Sequence, residues 1–324
     1  MTPEPTFADV LQARRVLEQH LTRTPFYESV SIGKRLGLRL FIKYESHQPV
    51  GAFKVRGNIN KVLSMDREER LRGAVTASMG NHGQGLCYAA RLADVQAVVV
   101  MPEKANPDKV EAMQNLGGEV LFFGDGFDEA DAKARELESD KGFMYFHAAD
   151  DPWIIAGHGT IGLEMLEDVP DLDVLVVPVG AGGLISGVAL AAKSMKPDIE
   201  IIGVQAKECA PYHASRLEGK RVEAPSAATF AEGLASRVPT PLPFAMIDRY
   251  VDDLIVATEE EMRQAIVLLL EKTHSVAEGA GAAGTAGVVK LADRLAGRTV
   301  GTILSGANLP RDVLQRALTD PEPW

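Results

Sequence analysis

Apolar and polar positions along the chain follow two alternating periods. Short runs rich in Val and Ile, too brief for helices, recur as "RLFIKY", "GAVTA", "VQAVVVM", "GEVLFF", "FMYFH", "DVLVVPVG", "IEIIGVQ", "YVDDLIVA" and "RTVGTILSG", and read as strands. Between them lie segments with apolar residues at helical spacing, such as "NPDKVEAMQNLG" and "EEEMRQAIVLLLEK". Parallel strands need crossover helices, so the alternation predicts an α/β fold with open, mostly parallel twisted sheets flanked by helices. The nine runs suffice for one sheet or two. The segment from Pro211 to Pro243 is strand-poor and dense in Pro, Ala and Ser, and reads as a structured excursion near a site, not as a linker.

Composition narrows the function classes. The 324 residues carry 34 basic and 45 acidic side chains, a formal net charge of −11, which argues against a nucleic-acid or anionic-membrane surface as the main role. Cys87 and Cys209 match neither a metal-ligand nor a disulfide pattern and read as small buried hydrophobes. The opening "MTPEPTFADVLQARRVLEQHL" reads as an amphipathic helix without the apolar run of a signal peptide or membrane span, so a cytoplasmic location is expected.

Four strand-to-helix turns carry unusual chemistry. In "HQPVGAFKVRGN", Gly51 and Gly57 bracket Lys54 in the first turn of a helix; alone, this fits a surface lysine lying along its apolar stem. In "TASMGNHGQG", small residues and Gly80 let backbone amides converge at a helix start, either as a plain cap or as a receptor for a carboxylate, with Asn81 and His82 at the same place. "VPVGAGGLISG" exposes successive N–H groups at Gly180, Gly182 and Gly183, an arrangement that binds phosphate. It is neither a dinucleotide fingerprint nor a Walker loop, since Ile185 stands at the sixth position and no Gly-Lys-Ser/Thr follows. In "ILSGANLP", Ser305 either caps a helix or presents a neutral hydroxyl to the same crevice. Glu278, in "SVAEGAGAAGTAG", opens a Gly/Ala-rich helix that leaves it little solvent, and a carboxylate there needs partners.

A lysine, an anion-binding turn, a phosphate cup and a neutral serine together suit pyridoxal 5′-phosphate, which needs an amine for its aldehyde, donors for its phosphate and a group facing its ring nitrogen. From about Val16 to Leu318 the chain resembles the fold-type II pyridoxal-phosphate enzymes, whose fold is that of the tryptophan synthase β-subunit. The resemblance is to the branch containing threonine/serine dehydratases and serine racemase. It rests on "KYESHQPVGAFKVRG", "TASMGNHGQG", "HGTIGLEML", "VPVGAGGLISG", "TFAEGLA", "AEGAGAAG" and "ILSGANL", in the family's order. The lysine neighbourhood departs from the "GSVKDR" of cysteine synthases.

The resemblance implies that Lys54 is the residue to which the cofactor attaches, with Phe53 packed beside it and Asn81 bonded to the ring 3′-oxygen. It assigns the N–H groups of Gly180, Ala181, Gly182, Gly183 and Leu184 to the phosphate and Ser305 to the pyridine nitrogen, with Glu278 in the same site. The turn of Ser78, Met79, Gly80, Asn81 and His82 would hold the substrate carboxylate. The implied reaction is β-elimination from a β-hydroxy amino acid, with Lys54 as general base at Cα and a 2-oxo acid and ammonia as products. Met79 replaces the second serine of racemases and Ala52 replaces a serine near the substrate, which disfavours racemisation and admits bulkier substrates such as phenylserine. A racemase and a β-replacing synthase are the alternatives within the family. Outside this reading stand a non-catalytic carrier of the cofactor, which would need no carboxylate turn, and an ordinary nucleotide-binding protein.

In several relatives a divalent cation is held by acids where this chain has Gln205 and Pro211, so no metal is expected, although Glu208 is near. The chain ends soon after "DVLQRALTD", which predicts no isoleucine feedback. A homodimer or homotetramer is expected, acting on a small amino acid. Residues 1–44 plus 148–324 are expected to form a large cofactor-binding domain and 45–147 a small inserted one.

Overall fold

The computed structural model describes residues 3–319. Ten strands occur among them: β1 Phe26–Glu28, β2 Arg39–Tyr44, β3 Ala74–Ala77, β4 Ala97–Met101, β5 Glu119–Phe122, β6 Met144–Tyr145, β7 Val174–Pro178, β8 Glu200–Ala206, β9 Asp253–Ala257 and β10 Thr299–Leu304. They build two sheets, of order β1-β2-β10-β7-β8-β9 and β5-β4-β3-β6. Every pairing is parallel except β1 with β2, as the apolar runs and intervening helices require. Each of the nine runs read from the sequence contains a strand. The tenth, β1, has three residues of which one is buried, too little for a period to register.

The central strand β7 is buried along its whole length, as expected for a parallel strand covered on both faces. Its neighbour in the chain, the helix Pro152–Asp168, is almost wholly buried and starts at Asp151, whose carboxylate accepts from the N–H groups of Trp153 and Ile154. This helix crosses Lys54–Ser64 so closely that a Cβ on Gly157 would lie 2.7 Å from the Gly57 Cα. Only glycine permits that approach, and it fixes the helix that begins with Lys54 against the centre of the molecule.

A buried ion cluster sits at the crossing. Arg56 Nε and Nη2 each donate to Glu45 at 2.8 Å, and its Nη1 and Nη2 reach Glu164 at 2.6 and 2.9 Å. Lys43 Nζ adds bonds to Glu164 at 2.5 Å and to the Thr24 carbonyl at 2.8 Å. Two cations thus face two carboxylates, all nearly inaccessible. Such a cluster is tolerated because every charge is paired. No helix among the described residues is long and apolar enough to cross a membrane. Cys87 and Cys209 are both buried and unpaired.

Candidate active site

The four turns singled out above meet at the carboxyl ends of the parallel strands, where crossover loops gather. β7 leads into Gly180–Leu184, β10 into Ser305, and β3 into Ser78–His82. The Lys54 and Ser305 turns are joined by backbone. Phe53 N–H donates to the Ser305 carbonyl at 3.0 Å, Ala307 N–H donates to Gly51 at 2.9 Å, and Ala52 bridges to Gly306.

Lys54 is the first residue of its helix, and its Nζ donates to the Ala148 carbonyl at 3.3 Å. No carboxylate pairs with it within ion-pair distance among the described residues. Burial therefore pushes its pKa down from 10.5 to about 8, with the Glu278 charge opposing. Its amine lies 5.0 Å from the Phe53 ring centre, and that ring meets His158 edge-on at 4.7 Å.

In the turn from Ser78 to His82, Ser78 Oγ accepts from the N–H groups of Gly80 and Gly83 at 3.3 and 2.9 Å, which fixes the bend. The N–H groups of Met79, Asn81 and His82 have no acceptor among the described residues and open at the start of the helix Asn81–Ala93. Asn81 Nδ2 donates to Glu278 at 2.7 Å while its Oδ1 accepts from Asn308 at 2.8 Å, leaving the second amide hydrogen available. Burial raises the Glu278 carboxyl to about 7 against the Asn81 hydrogen bond. His82 bonds the Phe146 carbonyl through Nε2 at 3.0 Å and Asn58 through Nδ1 at 3.3 Å, which makes Nε2 the protonated nitrogen. Burial, reinforced by the Lys54 charge, lowers its pKa to about 3, so it is neutral.

In the glycine turn, no N–H from Gly180 to Leu184 donates to a backbone carbonyl among the described residues. The turn is closed from outside by the Pro211–Pro243 excursion. The Gly233 carbonyl lies 2.2 Å from where a Gly180 Cβ would be, and the Tyr212 hydroxyl donates to the Ala181 carbonyl at 2.8 Å. Gly182, at φ +92°, has the left-handed conformation that turns these amides to one side. Ser305, 4% exposed, donates only a long 3.3 Å bond to the Ala280 carbonyl.

These groups fit pyridoxal phosphate: a weakly paired amine, a row of uncommitted N–H groups for an anion, and a neutral buried hydroxyl. No group of three His, Cys, Asp or Glu among the described residues is placed to hold a metal. Gln205 Oε1 accepts from the His213 N–H at 2.8 Å.

Several residues near the site were not singled out individually in the sequence. His147 lies just past β6, and its Nδ1 accepts from the N–H groups of Ala149 and Asp150, shaping the loop that presents the Ala148 carbonyl to Lys54. Its place at a strand's carboxyl end was the available clue. His158 is fully buried, and burial and the Lys54 charge hold its pKa well below 6.5. The Gly183 carbonyl is near enough to favour its protonation, yet neither ring nitrogen makes a good hydrogen bond. Tyr212 reaches the glycine turn through tertiary contact, and Asn308, within "ILSGANLP", bonds Asn81 across the two turns.

A family model described as "Pyridoxal-phosphate dependent enzyme" matches residues 17–306. The L-threonine ammonia-lyase of Thermotoga maritima is 41% identical over 313 residues, 97% of this chain and 78% of that protein. Among solved structures, the processed form of threonine deaminase isoform 2 from Solanum lycopersicum superposes with TM-score 0.92 at 32% identity, covering 98% of this chain and 90% of that one. Maize serine racemase does so with TM-score 0.92 at 31% identity, covering 98% and 97%.

Proposed function

The chain belongs to the pyridoxal-phosphate dependent enzymes, and we propose that within this family it removes water from a β-hydroxy amino acid, threonine or serine, as an ammonia-lyase. The observation that carries this reading is Lys54, a desolvated amine with a depressed pKa, whose Ala148 carbonyl acceptor also lies 3.4 Å from where a Cβ on Gly183 would be. When bound, the cofactor supplies the electron withdrawal that makes the substrate's Cα–H acidic.

The residues divide the remaining work. Gly180 to Leu184 would hold the phosphate, and Ser305 would meet the ring nitrogen. A serine hydroxyl would not keep that nitrogen protonated as a carboxylate would, so the electron withdrawal would be milder, which suits elimination. Phe53 would pack beside the ring and the second amide hydrogen of Asn81 would donate to it. Ser78 to His82 take the substrate carboxylate on free amides at a helix start. Lys54, neutral in an appreciable fraction near pH 8, takes the Cα proton as general base.

Met79 is 40% exposed at this turn and its thioether cannot exchange a proton, which disfavours racemisation. The division into residues 1–44 plus 148–324 and 45–147 is supported by sheet membership, since β3 to β6 form their own sheet. Closure of one part on the other would exclude water from Lys54. A cytoplasmic homodimer or homotetramer completes the proposal.

The test is a panel of serine, threonine, phenylserine and hydroxyaspartate stereoisomers, scored for ammonia and 2-oxo acid with wild type and Lys54→Ala. Wild type should act on at least one, and the variant should lose both turnover and the visible absorbance of the bound cofactor. Inertness of wild type toward the whole panel, or an active coloured variant, overturns the reading.

A further inference from the structure

Lys109 belongs to none of the motifs above, yet it lies over the carboxylate turn. It sits on the helix Pro107–Asn115, and its Nζ is 4.0 Å from where a Cβ on Gly80 would be. Its side chain is 15% exposed and pairs with the carboxylate of Glu232, which is 55% exposed. Glu232 comes from the excursion whose next residue, Gly233, closes the phosphate cup. The two charges also act on the buried Glu278 carboxyl in opposite senses, so both lie near it.

The pair is unequal. Lys109 is confined against the turn at Gly80, where the N–H groups of Met79, Asn81 and His82 have no acceptor among the described residues, whereas Glu232 is half in water. An ion pair with one solvated partner contributes little stability, so exchanging that partner costs little. A carboxylate seated on the amides of the turn would come within reach of the Lys109 ammonium and offer it a less solvated anion, in charge-assisted contact. Resting on the proposed function, we infer that Lys109 is a substrate-carboxylate ligand and that Glu232 is its placeholder, displaced when the amino acid binds. The positive charge at the turn is thereby kept paired in the empty enzyme, and the incoming carboxylate inherits it. A substrate lacking the carboxylate gains nothing from Lys109.

The experiment uses cofactor-loaded wild type, Lys109→Met and Glu232→Gln. L-alanine, which has no β leaving group, and L-alaninamide, which has no carboxylate, are titrated against the visible absorbance of the bound cofactor. Lys109→Met should weaken L-alanine about 10- to 100-fold, the usual cost of losing a charged hydrogen-bond partner, and leave L-alaninamide within about 3-fold. Glu232→Gln should bind L-alanine at least as tightly as wild type, and for L-threonine the KM of Lys109→Met should rise by more than its kcat falls. Equal weakening of acid and amide by Lys109→Met, or loss of L-alanine binding in Glu232→Gln as large as in Lys109→Met, overturns the inference. Alanine binding needs no elimination, so failure of the dehydratase reading shows separately, as wild type that binds alanine but turns over no β-hydroxy amino acid.

Discussion

Replacing Lys54 with methionine in the cofactor-free protein should make it more stable at pH 7, because the wild-type fold holds a buried cation without an ion-pair partner. Methionine keeps the length and removes the charge. The drop from 10.5 to about 8 corresponds to about 3 kcal/mol at ~1.4 kcal/mol per pH unit. Lys54 keeps some exposure to the cleft, so this is a ceiling. The lysine charge also helps hold down the Glu278 pKa, and losing it returns part of the gain. The sign with pH follows from proton binding. Above 10.5 the lysine is neutral in folded and unfolded chains; between about 8 and 10.5 only the unfolded chain holds the proton; below about 8 both do, and the folded state carries the whole penalty. The advantage of the variant is therefore largest at pH 7 and shrinks between about 8 and 10.5. Urea unfolding of both proteins at pH 7 and pH 10, followed by circular dichroism, reads this difference. A variant no more stable at pH 7, or an equal gap at both pH values, would refute the account of Lys54 as a desolvated amine.

Other substitutions test other parts of the structure. Glu164→Gln leaves Lys43 and Arg56 facing one carboxylate instead of two and should destabilise by about 3–5 kcal/mol in the same unfolding assay; a loss below ~1 kcal/mol would mean the cluster is not truly buried. Gly180→Ala puts a methyl 2.2 Å from the Gly233 carbonyl, so cofactor affinity should fall by at least ~10-fold on spectroscopic titration while circular dichroism stays native. His158→Leu surrenders no good hydrogen bond. Because the wild-type imidazole has a depressed pKa, its contribution is complete above 6.5 and is lost as pH falls, so the variant should gain on wild type in thermal unfolding from pH 7 to pH 5. A gap that stays constant over that range would contradict it.

What the sequence revealed, and what it hid, follows from the range of the forces involved. Runs such as "DVLVVPVG" became strands because burial on both faces demands continuous apolar residues, and the glycines after them lie at a helix start, where chain direction leaves N–H groups uncommitted. Lys109 and Glu232 stand 123 residues apart, and Asn81 and Asn308 are separated by 227, so no local pattern could pair them. The helix opening "KVRG" shows the limit within one turn. Residues two apart on a helix do not share a face, so Lys54 turns to the cleft and Arg56 to the core. Burial works against both charges, but Glu45 and Glu164 outweigh it at Arg56 and raise its pKa, while at Lys54 the Glu278 charge does not, and the pKa falls. The sequence marks two basic residues of similar surroundings. Only the fold, by giving both carboxylates to Arg56, leaves Lys54 without an ion-pair partner among the described residues.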